Sequence, residues 1–370
     1  MEENKASIKI DETDMDSSPE FMNSSRDNMK IPLIPDQEKN DSGKDNKTKV
    51  NESDTELAPK PEVKPFIGTY EEADEYLRDN PEIRTGYRIK YNKFCIVLKS
   101  LFMWHNETVN IWSHLLGLMV FFCIIFYVAI ELENKDLSPS FLNFIKDYIT
   151  LKGHSPEGVG DYISKIPLGV HISCAMICLF LSSTFHLFCC HSKDALNILS
   201  RFDYGGIAIL IAGSCTPIYI YSFWCPQVST YGYVYTSVMA AGCGIAFAVS
   251  LIPKFDAPKY RMCRAILFVV VGLSSAIPGI HIIGFRHPEY MPKPPIFLLG
   301  LGGAIYILGA VIYSTRFPER FTKGKKRKCN FDCIGNSHNI WHCFVLTAAG
   351  VHYAASVIMF KTRVVHQCPA

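Results

Sequence analysis

The chain reads as an all-α membrane protein: a bundle of seven transmembrane helices with a cytosolic N-terminus, preceded by a disordered N-terminal tail. Three observations predict this. The hydrophobic residues, 48 % of the 370, are unevenly divided: residues up to Pro65 are polar and nearly free of aromatics, while the remainder is apolar. That remainder contains seven stretches with few charges, each long enough to cross a hydrocarbon layer of about 30 Å. Basic residues gather in the loops on one side of those stretches.

The elements follow in order. Residues 1–65, with the charged run Lys39 to Lys47 and Pro59, Pro61 and Pro65, lack the apolar surface needed to offset ordering entropy and form a disordered cytosolic tail. No apolar stretch near Met1 resembles a secretory signal, so an internal span starts insertion. Residues 66–106 stay cytosolic, and within them Tyr91 to Met103 mixes Phe94, Ile96, Leu98, Leu101 and Phe102 with Lys93 and Lys99. That mixture suits a short amphipathic helix lying in the membrane interface. The membrane domain occupies 107–362, with spans at Thr108 to Leu132, Pro167 to Cys189, Tyr204 to Trp224, Thr230 to Ile252, Arg264 to Phe285, Pro295 to Tyr313 and His338 to Phe360. Pro217 and Pro278 predict kinks or breaks within their spans. Residues 363–370 are a short outer or lumenal tail.

Orientation follows from charge. Arg84, Arg88, Lys90, Lys93 and Lys99 precede the first span; Lys193 and Arg201 lie between the second and third, and Lys254, Lys259, Arg261 and Arg264 between the fourth and fifth. Arg316, Arg320 and the cluster Lys323 to Lys328 lie between the sixth and seventh, while the opposite loops are poorer in positive charge. The positive-inside rule then places the N-terminus in the cytosol and the C-terminus outside or in a lumen. This is opposite to ordinary G-protein-coupled receptors and argues against a G-protein mechanism. A basic patch pressed against a membrane also argues against nucleic-acid binding; anionic headgroups are the partner that Lys323 to Lys328 suits.

The predicted topology gathers candidate chemistry at the cytosolic face. His338 and His342, four residues apart, share one helical face about 6 Å apart along its axis, where they can close on one metal ion. His186 and Asp203 lie at ends of other spans on the same face. Three neutral imidazoles with water in a fourth position make a catalytic zinc arrangement, with Asp203 to orient that water or take its proton. Ser182, one helical turn before His186, can bond His186, the water or a substrate carbonyl. Such a group would hydrolyse an ester or amide whose acyl chain lies in the bilayer. A second reading stands beside it, because a histidine pair near headgroups also serves in interfacial hydrogen bonding. His114 reads as packing, and His171, His281 and His352 as interhelical hydrogen bonding. Most of the 14 cysteines fall in spans or on the reducing side, where Cys189 or Cys190 is a candidate for acylation; Cys225 and Cys368 alone are plausible outer-face disulfide partners.

Five ordered motifs then carry a resemblance. Glu107-Thr-Val-Asn110-Ile-Trp-Ser113-His114-Leu-Leu-Gly117, Ser182-Ser-Thr-Phe-His186, Phe202-Asp203-Tyr-Gly-Gly-Ile207, Arg316-Phe-Pro-Glu-Arg320 and Ser337-His338-Asn-Ile-Trp-His342 resemble the progestin and adipoQ receptor family. Gly86-Tyr87-Arg88 and His186-Leu-Phe-Cys-Cys-His191 bring the chain near the adiponectin receptors and a neighbouring Golgi-resident branch. The resemblance implies a seven-helix fold with an inward N-terminus, Zn2+ held by His186, His338 and His342, and Asp203 contacting a zinc-bound water. It further implies ceramide-type amide hydrolysis or lipid-linked receptor signalling, in a plasma or Golgi membrane. Implied partners are a membrane lipid, ceramide or free fatty acid, and an outer-face protein or steroid ligand. Two classes of function remain: a zinc-dependent lipid amidase coupled to a receptor, and a non-enzymatic receptor or scaffold in which zinc ties helices together.

Overall fold

The computed structural model describes residues 64–131, 163–256, 260–284, 290–291, 293–322, 331–366 and 368–369. The expected tail, apart from its last two residues, and the basic run Lys323 to Lys328 lie outside them. The first element of the described residues is an antiparallel hairpin of β1 (Phe66–Thr69) and β2 (Thr85–Ile89), which pairs Phe66 with Ile89 and Gly68 with Tyr87. Strands of four and five residues are too short to betray themselves by alternation, and none was expected here. The hairpin region buries Ala73, Ile83, Tyr87 and Ile89 as a small core of its own. Gly86 sits at φ +90°, and a Cβ there would meet Asn106 N at 2.9 Å, so only glycine allows the chain to pass this close. α1 (Phe94–Ser100) is shorter than the expected interfacial helix but carries the expected exposed apolar residues, including Phe94, Leu98 and, just beyond it, the 81 % exposed Phe102.

The long helices are α2 (Thr108–Glu131), α3 (Ile166–Phe188), α4 (Lys193–Ser222), α5 (Ser229–Ser250), α6 (Arg261–Ser274), α7 (Ile277–Gly284), α8 (Ile296–Thr315) and α9 (Ser337–Val365). With α6 and α7 sharing one span, they supply seven helices long and apolar enough to cross a membrane. The break at Ser275 and Ala276 falls just before Pro278, as a missing N–H and a fixed φ require. Pro217 causes no break, and α4 continues through it. Nor does α4 begin at Tyr204: it starts at Lys193, where the Ser192 hydroxyl caps it by accepting from Ala195 N at 3.1 Å. Hydropathy finds only the apolar part of that helix.

The bundle interior is built from Leu168, Ile172 and Leu179 of α3, Leu210 and Tyr221 of α4, and Met359 and Phe360 of α9. Small residues let the helices meet closely: a Cβ on Gly213 would stand 2.3 Å from that of Cys174. The outward faces are equally apolar, with Phe297 78 % and Ile280 68 % exposed. Water would not tolerate such a surface over whole helices, whereas lipid does, and the chain is a multi-pass integral membrane protein. At one end of the bundle Cys225 and Cys368 form a disulfide, the pairing expected from their placement. Beside it the buried Arg363 donates to Tyr221 O at 3.1 Å, Ser222 O at 3.3 Å and Tyr290 O at 2.9 Å, tying the far ends of α4 and α9 together.

Candidate metal centre

The opposite end of α9 is prepared by its cap. The Asn336 side chain accepts from His338 N at 3.1 Å and Asn339 N at 3.0 Å, while Glu319 accepts from Ser337 N at 2.8 Å. Three of the N–H groups a helix start leaves unpaired are thereby satisfied, and the first turn is held rigid. Gly335, at φ +78°, supplies the left-handed turn that brings the chain into this cap.

That turn carries His338, and the next carries His342. His186 reaches them from the last turn of α3. His338 Nε2 stands 3.2 Å from His186 Nε2, and His342 Nε2 stands 3.2 Å from His338 Nε2. Among the described residues these three form the group whose ligand atoms all lie within 4.8 Å of one another. Nitrogens held about 2.0–2.1 Å from a tetrahedral metal are about 3.3 Å apart, so the two separations from His338 match those of ligands sharing one ion. His186 and His342 are buried and His338 is half-buried. Three imidazole nitrogens turned towards one point cannot satisfy each other with the protons available, and a metal ion is the species that such a donor set can hold.

The other expected site residues are close by. Ser182, buried one turn below His186, makes a side-chain hydrogen bond with Asp203 of α4, and Asp203 lies within the electrostatic reach of His186. His114 stays outside the ligand group: its ring lies 4.0 Å from that of His342 and its Nε2 faces His342 O at 3.3 Å, a packing role. His171 and His281 make the expected interhelical bonds, to Ser356 Oγ at 3.3 Å and Tyr235 OH at 2.8 Å. His352 instead packs on Gly302, where a Cβ would come within 2.3 Å of its ring.

Several residues around the site went unassigned in the sequence. Glu107, immediately before α2, places Oε2 2.7 Å from His186 Nδ1 and receives Asn110 Nδ2 at 2.7 Å. Burial pushes its carboxyl up, while the hydrogen bonds from His186 and Asn110 favour the ionised form and draw it down. Asn339 Nδ2 in turn donates to Asn110 Oδ1 at 2.7 Å. Arg88 of β2, itself buried, donates to His186 O at 2.7 Å and Leu187 O at 2.8 Å and so closes the C-terminus of α3. The signals for Glu107 and Asn110 were their place in the first of the five family motifs and their spacing of three at a helix start, beside the membrane face already assigned to the histidines. Cys189 and Cys190 are buried beneath Arg88 and α1, and burial pushes the Cys189 thiol well up despite the opposing Arg88 charge. A group so enclosed does not offer the exposed thiolate that acylation uses.

Comparison with known proteins matches residues 102–353 to the Haemolysin-III related family. The heptahelical transmembrane protein ADIPOR1 of Oryza sativa subsp. japonica is 31 % identical over 332 residues, covering 82 % of this chain and 86 % of the relative. The adiponectin receptor protein of Drosophila melanogaster is 34 % identical over 305 residues, covering 80 % of this chain and 60 % of the relative. The progestin and adipoQ receptor-like protein 1 of Caenorhabditis elegans is 34 % identical over 302 residues, covering 81 % and 62 %. The chain thus spans less than two thirds of the fly and nematode relatives.

Proposed function

From the premise that this chain belongs to the Haemolysin-III related family, we propose that it is an adiponectin receptor-like membrane protein whose histidine centre holds zinc and hydrolyses a ceramide-like lipid amide. The observation that carries the reading is the convergence of three Nε2 atoms next to a Ser182–Asp203 pair. Zinc bound there would supply Lewis acidity, polarising a carbonyl and bringing water within reach of deprotonation near neutral pH. Ser182 gives its hydroxyl hydrogen to Asp203, which fixes the carboxylate and leaves its other lone pairs for a water proton. Asp203 then acts as general base towards the attacking water and passes the proton to the departing amine. The apolar outer faces of the bundle suit a substrate whose chains remain in the bilayer.

The site faces the cytosol in this reading. Lys193 and Arg201 lie on the first turns of α4, and Arg316 and Arg320 just follow α8, whose end meets the histidine end of α9 through Glu319 and Ser337. The Cys225–Cys368 disulfide closes the far end, about 40 Å away at 1.5 Å of rise per residue from His338 to Val365 of α9. Disulfides persist in oxidising compartments and thiols such as Cys189 and Cys190 in reducing ones, so both features support an inward N-terminus. That orientation also argues against coupling to G proteins, and leaves the outer face for a protein or steroid ligand in a plasma or Golgi membrane.

Asp203→Asn tests the catalytic role. The variant should keep its zinc and its fold while losing about 10² to 10⁴ in lipid amide turnover. A structural reading has its own support, because the ligands join α3 to α9 while Glu107 and His114 bring in α2. It predicts instead that signalling follows zinc content and is indifferent to Asp203→Asn; unchanged turnover in that variant removes Asp203 from the mechanism.

A further inference from the structure

We propose that Glu107 is a positioning residue of the metal centre: its carboxylate holds the His186 ring with Nε2 towards the ion. The inference rests on the zinc reading above. An ionised carboxylate can only accept hydrogen bonds, so the 2.7 Å contact puts the proton of His186 on Nδ1 and leaves the lone pair on Nε2, the atom that faces His338. The other tautomer would turn a proton into the ligand cluster.

The carboxylate is itself held in place. Because Oε2 accepts, Asn110 must present its amide NH2 to it, which turns Asn110 Oδ1 outward to accept from Asn339 Nδ2 at 2.7 Å. Asn339 lies between His338 and His342 on α9. The ring of His186 on α3 is therefore indexed, through Glu107 and Asn110 of α2, to the helix that supplies the other two ligands. Arg88 fixes the same residue from its backbone side by donating to His186 O. The position just before the first turn of α2 also suits a negative charge, since the helix N-terminus favours one. Metal-bound imidazoles commonly have a carboxylate on their second nitrogen, which orients the ring and raises its basicity, and loss of such a partner costs about 10- to 100-fold in metal affinity.

The test uses the purified full chain, stripped of metal and titrated with Zn2+ against a chromophoric chelator, with Co2+ absorption reporting a tetrahedral site. The Glu107 side chain is 25 % exposed, so its replacement leaves the core intact. Glu107→Ala should weaken Zn2+ binding about 10- to 100-fold, and Glu107→Gln, which keeps an acceptor without the charge, less. Asn339→Ala should act in the same direction, and the melting temperature of each metal-free Glu107 variant should stay close to that of the wild type. Two results overturn the proposal: both Glu107 variants binding Zn2+ within twofold of wild type, or an affinity loss matched by a fall in metal-free melting temperature, which would make Glu107 a fold-supporting residue. Should Glu107→Ala fail to fold, Glu107→Gln decides by the same criteria. A wild-type chain that binds no Zn2+ at all removes the metal reading itself along with the proposal.

Discussion

Replacing Asn336 by alanine should weaken the metal centre without touching a ligand. Its side chain accepts from His338 N at 3.1 Å and Asn339 N at 3.0 Å, so the variant leaves two N–H groups of the first turn of α9 unpaired. Loss of such a cap costs about 1 kcal/mol, within a range of about 0.5 to 2. If the cost falls on the turn that carries His338, the ion must reorder that turn on binding, and affinity should drop about fivefold, and at most about 30-fold. Asn336→Asp keeps an acceptor and should bind as wild type, while Asn336→Gly, which costs only a few tenths of a kcal/mol, should lose less than about twofold. The assay is Zn2+ competition against a chelator, with thermal unfolding of the metal-free protein measured in parallel. Unchanged affinity in Asn336→Ala, with the full stability loss in unfolding, would refute the argument that the cap organises the site.

Other outcomes follow from the same structure. Purified protein should hold about one zinc per chain, and the double replacement His338→Ala, His342→Ala should remove it; stoichiometric zinc in that variant contradicts the assignment. His105 outside the spans is buried between Ser100 O and Glu107 N–H, and burial, then the Arg88 charge, depress its pKa from 6.5 to about 3. Its neutral form is the one the fold accepts, so its contribution is complete above pH 6.5 and is lost as pH falls towards about 3, with about 2 kcal/mol gone by pH 5. His105→Gln should flatten the dependence of unfolding free energy between pH 7.5 and 5, and an unchanged slope tells against it. The sequons at Asn23, Asn40, Asn46 and Asn51 should carry no glycan, since an inward N-terminus never meets the glycosylation machinery; a glycosidase-sensitive mass shift lost on their replacement would reverse the orientation.

The sequence disclosed those parts of this protein that depend on local pattern. Spans could be placed because lipid demands unbroken apolar stretches, and His338 with His342 could be paired because four residues make about one helical turn. Cys225 and Cys368 emerged as partners by elimination of the cysteines in spans and on the reducing side. Contacts between distant residues were not disclosed in this way. Glu107 and His186 are 79 positions apart, and nothing in either neighbourhood names the other as its hydrogen-bond partner. Arg88 looked like one more charge for the positive-inside rule, yet it is buried against the end of α3, because a hairpin too short for a periodicity signal carries it there. Asp203 was placed near a span end, whereas α4 extends ten residues before it as a polar, capped helix.

The central claim is zinc-dependent hydrolysis of a lipid amide, and its most direct test is turnover by the purified chain in lipid nanodiscs with zinc content measured on the same sample. A ceramide labelled in its acyl chain should release fatty acid and sphingoid base in equal amounts when about one zinc is present per chain. Release should stop on chelation and return when Zn2+ is restored. A zinc-replete protein that releases no fatty acid, before or after chelation, contradicts the hydrolase account and leaves the ion a purely structural role.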